Sequence, residues 1–287
     1  MRELSSVKGV VVGVLVSLLA LAGCTVNIKS QHFIRPDQPV TQQWLSQQQQ
    51  GQTLQPYQVT ASDGVVLHGK LIRHPQARFT LIYFGGNQFN SDRDSLDVVQ
   101  ALGQFQNNVL MLDHRGYNRN AGQPSVANLA SDGVAVFDTV MADTSLGNKP
   151  VLLHGFSLGS VVAAHVAGQR PAAALVLQGS VTTVSEMATA RVPWLMQQFI
   201  TFNIAAELQQ VDNKAVLARI QTPLLICVGA NDSETPPALS ESLYVSAASP
   251  LKQLYIAQDI GHGNLFARPE AVAQYQQFLA KVFAENL

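Results

Sequence analysis

The stretch that decides the fold is PVLLHGFSLGSVVAAHVAG, residues 150–168. An apolar run at 150–154 leads directly into the pattern Gly-x-Ser-x-Gly at 155–159, and a run of mostly small residues follows. This order predicts a strand, a tight turn and a helix, with Ser157 at the turn. The flanking glycines leave room where such a turn crowds its neighbours. We therefore predict that Ser157 is a nucleophile at a helix N-terminus, where the helix dipole favours a developing oxyanion.

The chain alternates short apolar runs with longer amphipathic runs from residue 56 onward. This alternation predicts an α/β fold with a mainly parallel central sheet and helices on both faces, in one domain at 56–287. A hairpin is expected at 57–72, turning at 62–64. Further strands are predicted at 79–84, 108–112, 151–154, 174–177, 224–228 and 253–256, and helices at 92–102, 126–142, 158–167, 213–220, 238–247 and 269–284.

A serine hydroxyl is a poor nucleophile until a base takes its proton. Of the seven histidines, His262 is the best placed for this role. It lies between the last predicted strand and the last predicted helix, and glycines on both sides let the loop carry its side chain toward Ser157. We predict that His262 is the general base. The alternative is a loop histidine with a structural role.

The base needs a carboxylate that orients its ring and stabilises the imidazolium. Asp232 lies in the loop 229–236, directly after a predicted strand. Glu234 is a second carboxylate in the same loop and is the rival candidate. We favour Asp232 as the catalytic acid.

An oxyanion hole needs two backbone N–H groups that point at one oxygen. The first is expected from Leu158, the residue after the nucleophile. The second is expected from the loop Gly85-Gly86-Asn87 after the strand at 79–84. We favour the amide of Asn87, with that of Gly86 next. The alternative is an ordinary glycine turn.

Two further segments complete the pattern. Residues 112–117 read LDHRGY and are similar to an Asp-x-Arg-Gly-x-Gly segment, and residues 83–87 read YFGGN and are similar to a His-Gly-Asn loop. With the chain order serine, acid, histidine, these segments make the chain from about residue 57 to its end resemble the α/β-hydrolase superfamily. The resemblance is to its branch of serine aminopeptidase-like and depalmitoylase-like domains. Gly85 departs from that branch, which usually has a histidine there.

The resemblance implies the α/β-hydrolase fold and a serine hydrolase that cleaves a small-molecule or lipid ester or thioester through an acyl-enzyme. A peptidase or amidase is the alternative, because amide hydrolysis uses the same triad. A non-catalytic binding module is a further alternative from another class. Asp113 and Arg115 are expected to form a structural ion pair, with substrate binding as the alternative.

Residues 182–212 break the alternation of strands and helices. A single crossover is expected here, but the segment carries extra apolar material of helical character. We predict a small helical lid over the site. The alternative is a surface helix pair without a gating role.

Residues 1–23 have the features of a targeting segment. Two basic residues precede an apolar run at 9–22, which is shorter than the stretch of about 20 residues that crosses a bilayer and fits the core of a signal peptide. The sequence Leu-Ala-Gly-Cys at 21–24 resembles the bacterial lipobox. This resemblance implies that Cys24 receives a diacylglycerol and that cleavage occurs just before it. An uncleaved apolar anchor is the alternative.

Residues 24–55 differ in composition from the domain that follows. Eight glutamines lie in 42–55, and we predict a polar tether between the lipid and the domain. An ordered extension packed on the domain is the alternative. Thr25 replaces the aspartate that favours inner-membrane retention of such lipoproteins. In a Gram-negative cell the protein is therefore expected on the outer membrane, facing the periplasm, with the lipid as its membrane attachment.

The net charge and the cysteine content indicate which partners and which chemistry are not expected. The net charge of −1 argues against a nucleic-acid partner. With Cys24 lipidated, only Cys227 remains, inside an apolar run, so we predict a buried and unreactive thiol. Neither metal-ligand spacing nor a phosphate-binding glycine loop is present in the sequence, so no metal and no cofactor are predicted.

Overall fold

The computed structural model describes residues 24–37, 48–49 and 52–283. The predicted signal peptide at 1–23 and most of the glutamine-rich run lie outside the described residues. The strands are β1 Cys24–Ile28, β2 Gln48–Gln49, β3 Gln52–Thr60, β4 Val66–Arg73, β5 Phe79–Phe84, β6 Asn107–Leu112, β7 Val151–Phe156, β8 Ala174–Gln178, β9 Ile200–Ile204, β10 Leu224–Gly229 and β11 Lys252–Ala257. The α-helices are α1 Ser30–Phe33, α2 Ser91–Leu102, α3 Val126–Ala142, α4 Leu158–Gln169, α5 Val184–Ala190, α6 Trp194–Gln197, α7 Asn213–Leu217, α8 Pro237–Ser246 and α9 Pro269–Val282.

The main sheet has nine described strands in the order β11-β10-β8-β7-β5-β6-β4-β3-β2. The neighbours from β11 to β6 are parallel, and the hairpin of β3 and β4 adds antiparallel strands at the edge. The prediction of a mainly parallel sheet is confirmed. The central strands are buried on both faces, which explains why they appear in the sequence as continuous apolar runs.

Apolar side chains pack on both faces of this sheet. On one face lie residues of α3 and α4, such as Phe137 and Val162. On the other face lie residues of α2 and α9, such as Val99 and Phe278. Each fully buried side chain of this size contributes about 1.5–3 kcal/mol relative to exposure. The prediction of helices on both faces is confirmed.

The N-terminal segment is more ordered than the predicted tether. β1 pairs in parallel with β9, and α1 brings Phe33 and Ile34 into the core, where they are 6% and 4% exposed. The prediction of a tether is therefore wrong for residues 24–37. Because the apolar residues are few and the partner strand lies about 176 residues further along the chain, no local periodicity signals this packing.

The insertion at 182–212 leaves and rejoins the fold at one neck, where Thr183 and Asp212 form an antiparallel bridge. It holds the helices α5 and α6, in line with the predicted helical material, and also the strand β9, which was not predicted. The sequence of β9 is Ile-Thr-Phe-Asn-Ile, with the alternation that favours a strand over a helix. A gating role stays a prediction. None of the described helices has the length and apolar character needed to cross a membrane.

Candidate active site

Ser157 lies at the sharp turn between β7 and α4, with a φ of 51° and a ψ of −116°. This is a strained conformation for a residue other than glycine. The two glycines of the motif make the turn possible. A Cβ on Gly155 would lie 2.4 Å from the carbonyl oxygen of Gly159, and one on Gly159 would lie 2.0 Å from that of Phe84. The turn therefore packs backbone against backbone, which only glycine allows.

The structure brings Ser157, His262 and Asp232 together at the carboxyl ends of the parallel strands. Nε2 of His262 lies 2.9 Å from the Ser157 hydroxyl oxygen. Nδ1 of His262 lies 2.8 Å from Oδ2 of Asp232. Since the carboxylate accepts a proton donated by Nδ1, the Nε2 atom is left to accept one from the serine. This is the arrangement that a general base and its orienting acid require.

Asp232 is held in its ionised form by hydrogen bonds. Its side chain is buried, which raises its pKa, but the bonds from His262 and from Thr235 outweigh burial and lower the pKa below the usual value. The amides of Glu234 and Thr235 donate to Oδ1 at 2.8 Å, and the Thr235 hydroxyl donates to Oδ2 at 2.8 Å. The role of Thr235 as a donor to Asp232 was not predicted, because a threonine three residues after an aspartate is common in loops and indicates no particular contact.

Glu234 does not take part in this contact. Its carboxylate lies 3.0 Å from the Arg191 guanidinium in a half-exposed ion pair. Arg191 also donates to the backbone carbonyl of Glu234 at 2.7 Å. Of the two carboxylates weighed from the sequence, the structure places Asp232 beside the histidine.

The loop after β5 brings Gly86 close to the nucleophile. A Cβ on Gly86 would lie 3.2 Å from the Cβ of Ser157, so its backbone faces the reacting atoms closely. Leu158 is the first residue of α4, where a helix leaves N–H groups without acceptors of its own. The backbones of Gly86 and Leu158, both predicted for the oxyanion hole, therefore flank Ser157 from two elements.

The side chain of Asn87 binds the N-terminal segment. Its Oδ1 accepts from the Arg35 amide at 2.8 Å and from the Tyr117 hydroxyl at 3.0 Å, and its Nδ2 donates to the Phe33 carbonyl at 2.8 Å. The loop that carries the predicted oxyanion donors is thus attached to residues 33–35. The sequence did not indicate this contact.

Gly85 departs from the family pattern for a steric reason. A Cβ at this position would lie 2.1 Å from the ring of Phe89. Phe89 therefore occupies the space that a larger residue at position 85 would need.

Asp113 and Arg115 do not pair with each other, so this prediction is wrong. Arg115 binds Asp132 through Nε and Nη2, and it binds Asp63 in the hairpin turn through Nη1 and Nη2. Asp113 instead accepts from the amide and the hydroxyl of Ser91. The true partners of Arg115 lie 17 and 52 residues away, beyond the reach of a local pattern.

A cavity of about 510 Å³ is lined by Phe156 and Gly263, the sequence neighbours of Ser157 and His262, while Ser157 and His262 are not among its lining residues. Its walls include the loop from Gly86 to Phe89, the ring of Phe156 and, across from them, Leu265 and Phe266. The ring of Phe156 also lies 4.9 Å from that of His262. This cavity was not predictable from the sequence, because its lining residues come from distant segments of the chain.

Cys227 is 1% exposed, and burial raises the pKa of its thiol to about 12. It lies within β10 and is a core residue, as the sequence indicated. Cys24 is exposed.

Comparison with known proteins agrees with this architecture. A family model described as serine aminopeptidase, S33, matches residues 77–213. An uncharacterised protein of Mycobacterium tuberculosis is 31% identical over 207 residues, which cover 72% of this chain and 71% of that protein. The α/β-hydrolase domain-containing protein 17B of Xenopus laevis is 21% identical, with 72% of this chain and 68% of that protein covered.

The fold also matches a solved esterase. The structure of the Pyrococcus furiosus esterase Pf2001 superposes with a TM-score of 0.68 at 18% identity, covering 86% of this chain and 99% of that chain. The matched segment at 77–213 contains Ser157 and the loop after β5. The chain belongs to the same family as the Mycobacterium relative, and with the match to the serine aminopeptidase model this makes it an α/β-hydrolase and a serine hydrolase.

Proposed function

We propose that this hydrolase is an esterase in which Ser157 attacks the carbonyl carbon of a carboxylic ester or thioester. His262 takes the serine proton as the new C–O bond forms and then gives it to the departing alcohol or thiol. Asp232 stabilises the imidazolium between these two transfers. Water, deprotonated by His262, then cleaves the acyl-enzyme and releases the acid. The observation that carries the proposal is the unbroken hydrogen-bond chain from Ser157 through His262 to Asp232.

The proposed oxyanion hole consists of the amide of Leu158 and an amide from the loop after β5, that of Asn87 or Gly86. Support comes from the position of Leu158 at the start of α4 and from the close approach of Gly86 to Ser157. Preorganised donors of this kind are worth about 10²–10³ in kcat each in other hydrolases.

The cavity wall is aromatic in one part, at Phe89, Phe156 and Phe266, and charged in another, at Arg93 and Asp94 of α2. An acyl chain that displaces water from the aromatic part gains free energy by apolar burial. The Pyrococcus neighbour is an esterase, which agrees with the proposed cleavage of an ester. The name of the matching family favours a second candidate, an aminopeptidase that uses the same three residues on an amide.

The proposal includes membrane attachment through a lipid on Cys24, with the domain facing the periplasm in a Gram-negative cell. Support comes from the Leu-Ala-Gly-Cys sequence at 21–24 and from the exposure of Cys24 at the start of β1. A thioether lipid on this sulfur would extend from an accessible position.

A fluorophosphonate probe tests the nucleophile directly. The folded wild-type protein should be labelled, and Ser157→Ala should abolish the label. Ser131→Ala on the exposed surface of α3 is the matched control and should be labelled like the wild type. A folded wild-type protein that takes up no label would contradict the proposed chemistry.

Paired substrates separate the two candidates. A p-nitrophenyl ester and a p-nitroanilide of the same acyl group differ only in the scissile bond. A much higher kcat/KM on the ester is expected here. A preference for the anilide, or for aminoacyl anilides with a free amine, would assign the protein as a peptidase.

A further inference from the structure

Three consecutive large apolar side chains of the insertion face solvent. Trp194 is 77% exposed, Leu195 56% and Met196 49%, and no residue of α6 is buried. We call these three residues the apolar patch. Contiguous apolar surface of this kind marks an interaction site in soluble domains, whereas single exposed apolar residues need no explanation.

The patch lies next to the start of the described chain. The amide of Cys24 donates to the carbonyl of Phe199 at 2.7 Å, and Cys24 pairs with Ile200 in the small sheet of β1 and β9. Phe199 follows Trp194 by five residues, so that even an extended chain would separate them by less than about 20 Å. The helical turn of α6 shortens this distance further.

The sequence before Cys24 indicates that the membrane attachment lies at this end of the described chain. The apolar run at 9–22 ends two residues before Cys24. If the leader is cleaved, the lipid is attached to the sulfur of Cys24. If the leader is kept, its apolar run ends just before Cys24. Both cases place the bilayer at Cys24. Because the backbone of Cys24 is bonded into the small sheet, no slack separates the membrane attachment from the insertion.

The insertion is in turn attached to the active site. Arg191, at the end of α5, binds Glu234 in the loop that carries Asp232. The segment before the neck starts at Gly179, where a Cβ would lie 3.2 Å from the ring of His262. One continuous structure therefore runs from the membrane attachment through the patch to the triad.

We propose that the apolar patch inserts into the interfacial region of the bilayer to which Cys24 is attached, and that the active site receives an ester-bearing lipid from that bilayer. Tryptophan favours the membrane–water interface, and apolar side chains beside a lipid anchor bury additional apolar surface in the same bilayer. The inference rests on the proposed esterase function and on the membrane attachment, and it adds the orientation of the domain and the class of substrate.

The fluorescence of Trp194 tests the docking. The sequence holds two tryptophans, so Trp44→Phe leaves Trp194 as the only one. The full chain, processed in cells, is reconstituted into vesicles of phosphatidylethanolamine and phosphatidylglycerol with and without brominated acyl chains. Bromine quenches tryptophan only near contact, so quenching of Trp194 is the expected result. Absence of bromine quenching overturns the docking. Quenching of Trp194 by acrylamide, a water-soluble quencher, would then place the ring in water, and protection from acrylamide would indicate a contact with a second copy of the protein.

A charge in the patch tests the substrate class. Leu195→Glu should lower kcat/KM for a long-chain ester embedded in the vesicles by about tenfold relative to a soluble short-chain ester, because a carboxylate resists transfer out of water. Val245→Glu, at a 78% exposed site on α8, is the matched control and should leave kcat/KM unchanged for both the vesicle-embedded ester and the soluble ester. Equal hydrolysis of the vesicle ester by Leu195→Glu and wild type overturns the substrate class.

The two proposals fail separately. A protein that cleaves neither ester and takes up no fluorophosphonate contradicts the esterase function. The quenching of Trp194 still decides the docking in that case, because it needs no turnover.

Discussion

Two carboxylates in one loop have different surroundings, and this difference decides which one serves the histidine. Asp232 is 4% exposed and bonds His262, whereas Glu234 forms a half-exposed pair with Arg191. A buried carboxylate with several donors keeps its charge and a fixed position, and both are needed to orient an imidazole. A surface ion pair such as that of Glu234 contributes little to keeping the carboxylate charged or to fixing its position.

We predict that Asp232→Asn lowers kcat for an ester by about 10³–10⁴-fold, because the amide neither stabilises the imidazolium nor selects the required tautomer. Glu234→Gln is the matched control and should lower it by less than about threefold, since an exposed pair is worth no more than about 1 kcal/mol. The measurement is single-turnover hydrolysis of a p-nitrophenyl ester. A severe loss in the glutamine variant with a mild loss in the asparagine variant would move the acid to Glu234.

Secondary-structure elements differ in how well the sequence predicts them. The parallel strands are buried apolar runs, and the hairpin turns at the predicted residues 62–64, so local pattern is sufficient for them. The serine turn is predictable for a steric reason, because only glycine fits at 155 and 159. The order serine, acid, histidine along the chain then selects Asp232 and His262, which the structure brings to Ser157.

The pairing of β1 with β9 was not predictable in this way. Each strand has five residues and half-exposed or exposed side chains, and each finds its partner only in the folded chain. The same holds for Arg115, whose two acid partners lie in the hairpin turn and in α3. Long-range polar contacts and short edge strands leave no periodic signal in the sequence.

The attachment of Asn87 to α1 leads to a prediction about the loop after β5. In Asn87→Asp the side chain keeps its acceptor for the Arg35 amide but no longer donates to the Phe33 carbonyl, and two oxygens then oppose each other. We expect the loop to shift and kcat to fall by about tenfold or more, with KM little changed, because misplaced oxyanion donors act on the transition state.

Tyr117→Phe is the control for this variant, since it removes only one of the bonds to Asn87. It should lower kcat less than Asn87→Asp does. Equal stability of the two variants in urea, with unequal kcat, would assign Asn87 a positioning role. Unchanged kcat in Asn87→Asp would contradict the role of the loop.

The hairpin of β3 and β4 should be sensitive to acid. The hydrogen bond from Arg115, followed by that from the Val65 amide, lowers the pKa of Asp63 to about 2. Since this pKa lies below the ordinary value, the pair stabilises the fold above the unfolded pKa, and this contribution is lost as the pH falls from about 4 to about 2. Asp63→Asn should therefore flatten the acid side of the stability profile, measured as urea midpoint against pH. An identical slope in wild type and variant would show that the pair does not contribute.

On the scale of the whole molecule, membrane attachment and catalysis meet in one region of the structure. Residues 24–37 contact both the insertion, through β1, and the loop after β5, through Phe33 and Arg35. A flexible tether would leave the domain free to turn, whereas a packed segment transmits the direction of the anchor to the domain. The orientation of the active site is therefore tied to the residue that is proposed to carry the lipid.

That residue is Cys24, and its substitution tests the attachment. Lipid addition to a lipobox-like sequence needs the cysteine sulfur, so Cys24→Ser should take up no palmitate and should accumulate as a precursor with its leader. Cys227→Ala is the matched control, because the only other thiol lies in the core and is 1% exposed, out of reach of a lipid donor. Two or three acyl chains on one cysteine bind a bilayer far more firmly than a single chain, so the wild type and the Cys227 variant should both sediment with membranes and carry label. The measurement is radioactive palmitate incorporation followed by membrane fractionation. Equal palmitate label in Cys24→Ser and wild type would contradict lipid addition at Cys24. Absence of label from both proteins would leave the apolar run at 9–22 as the membrane attachment.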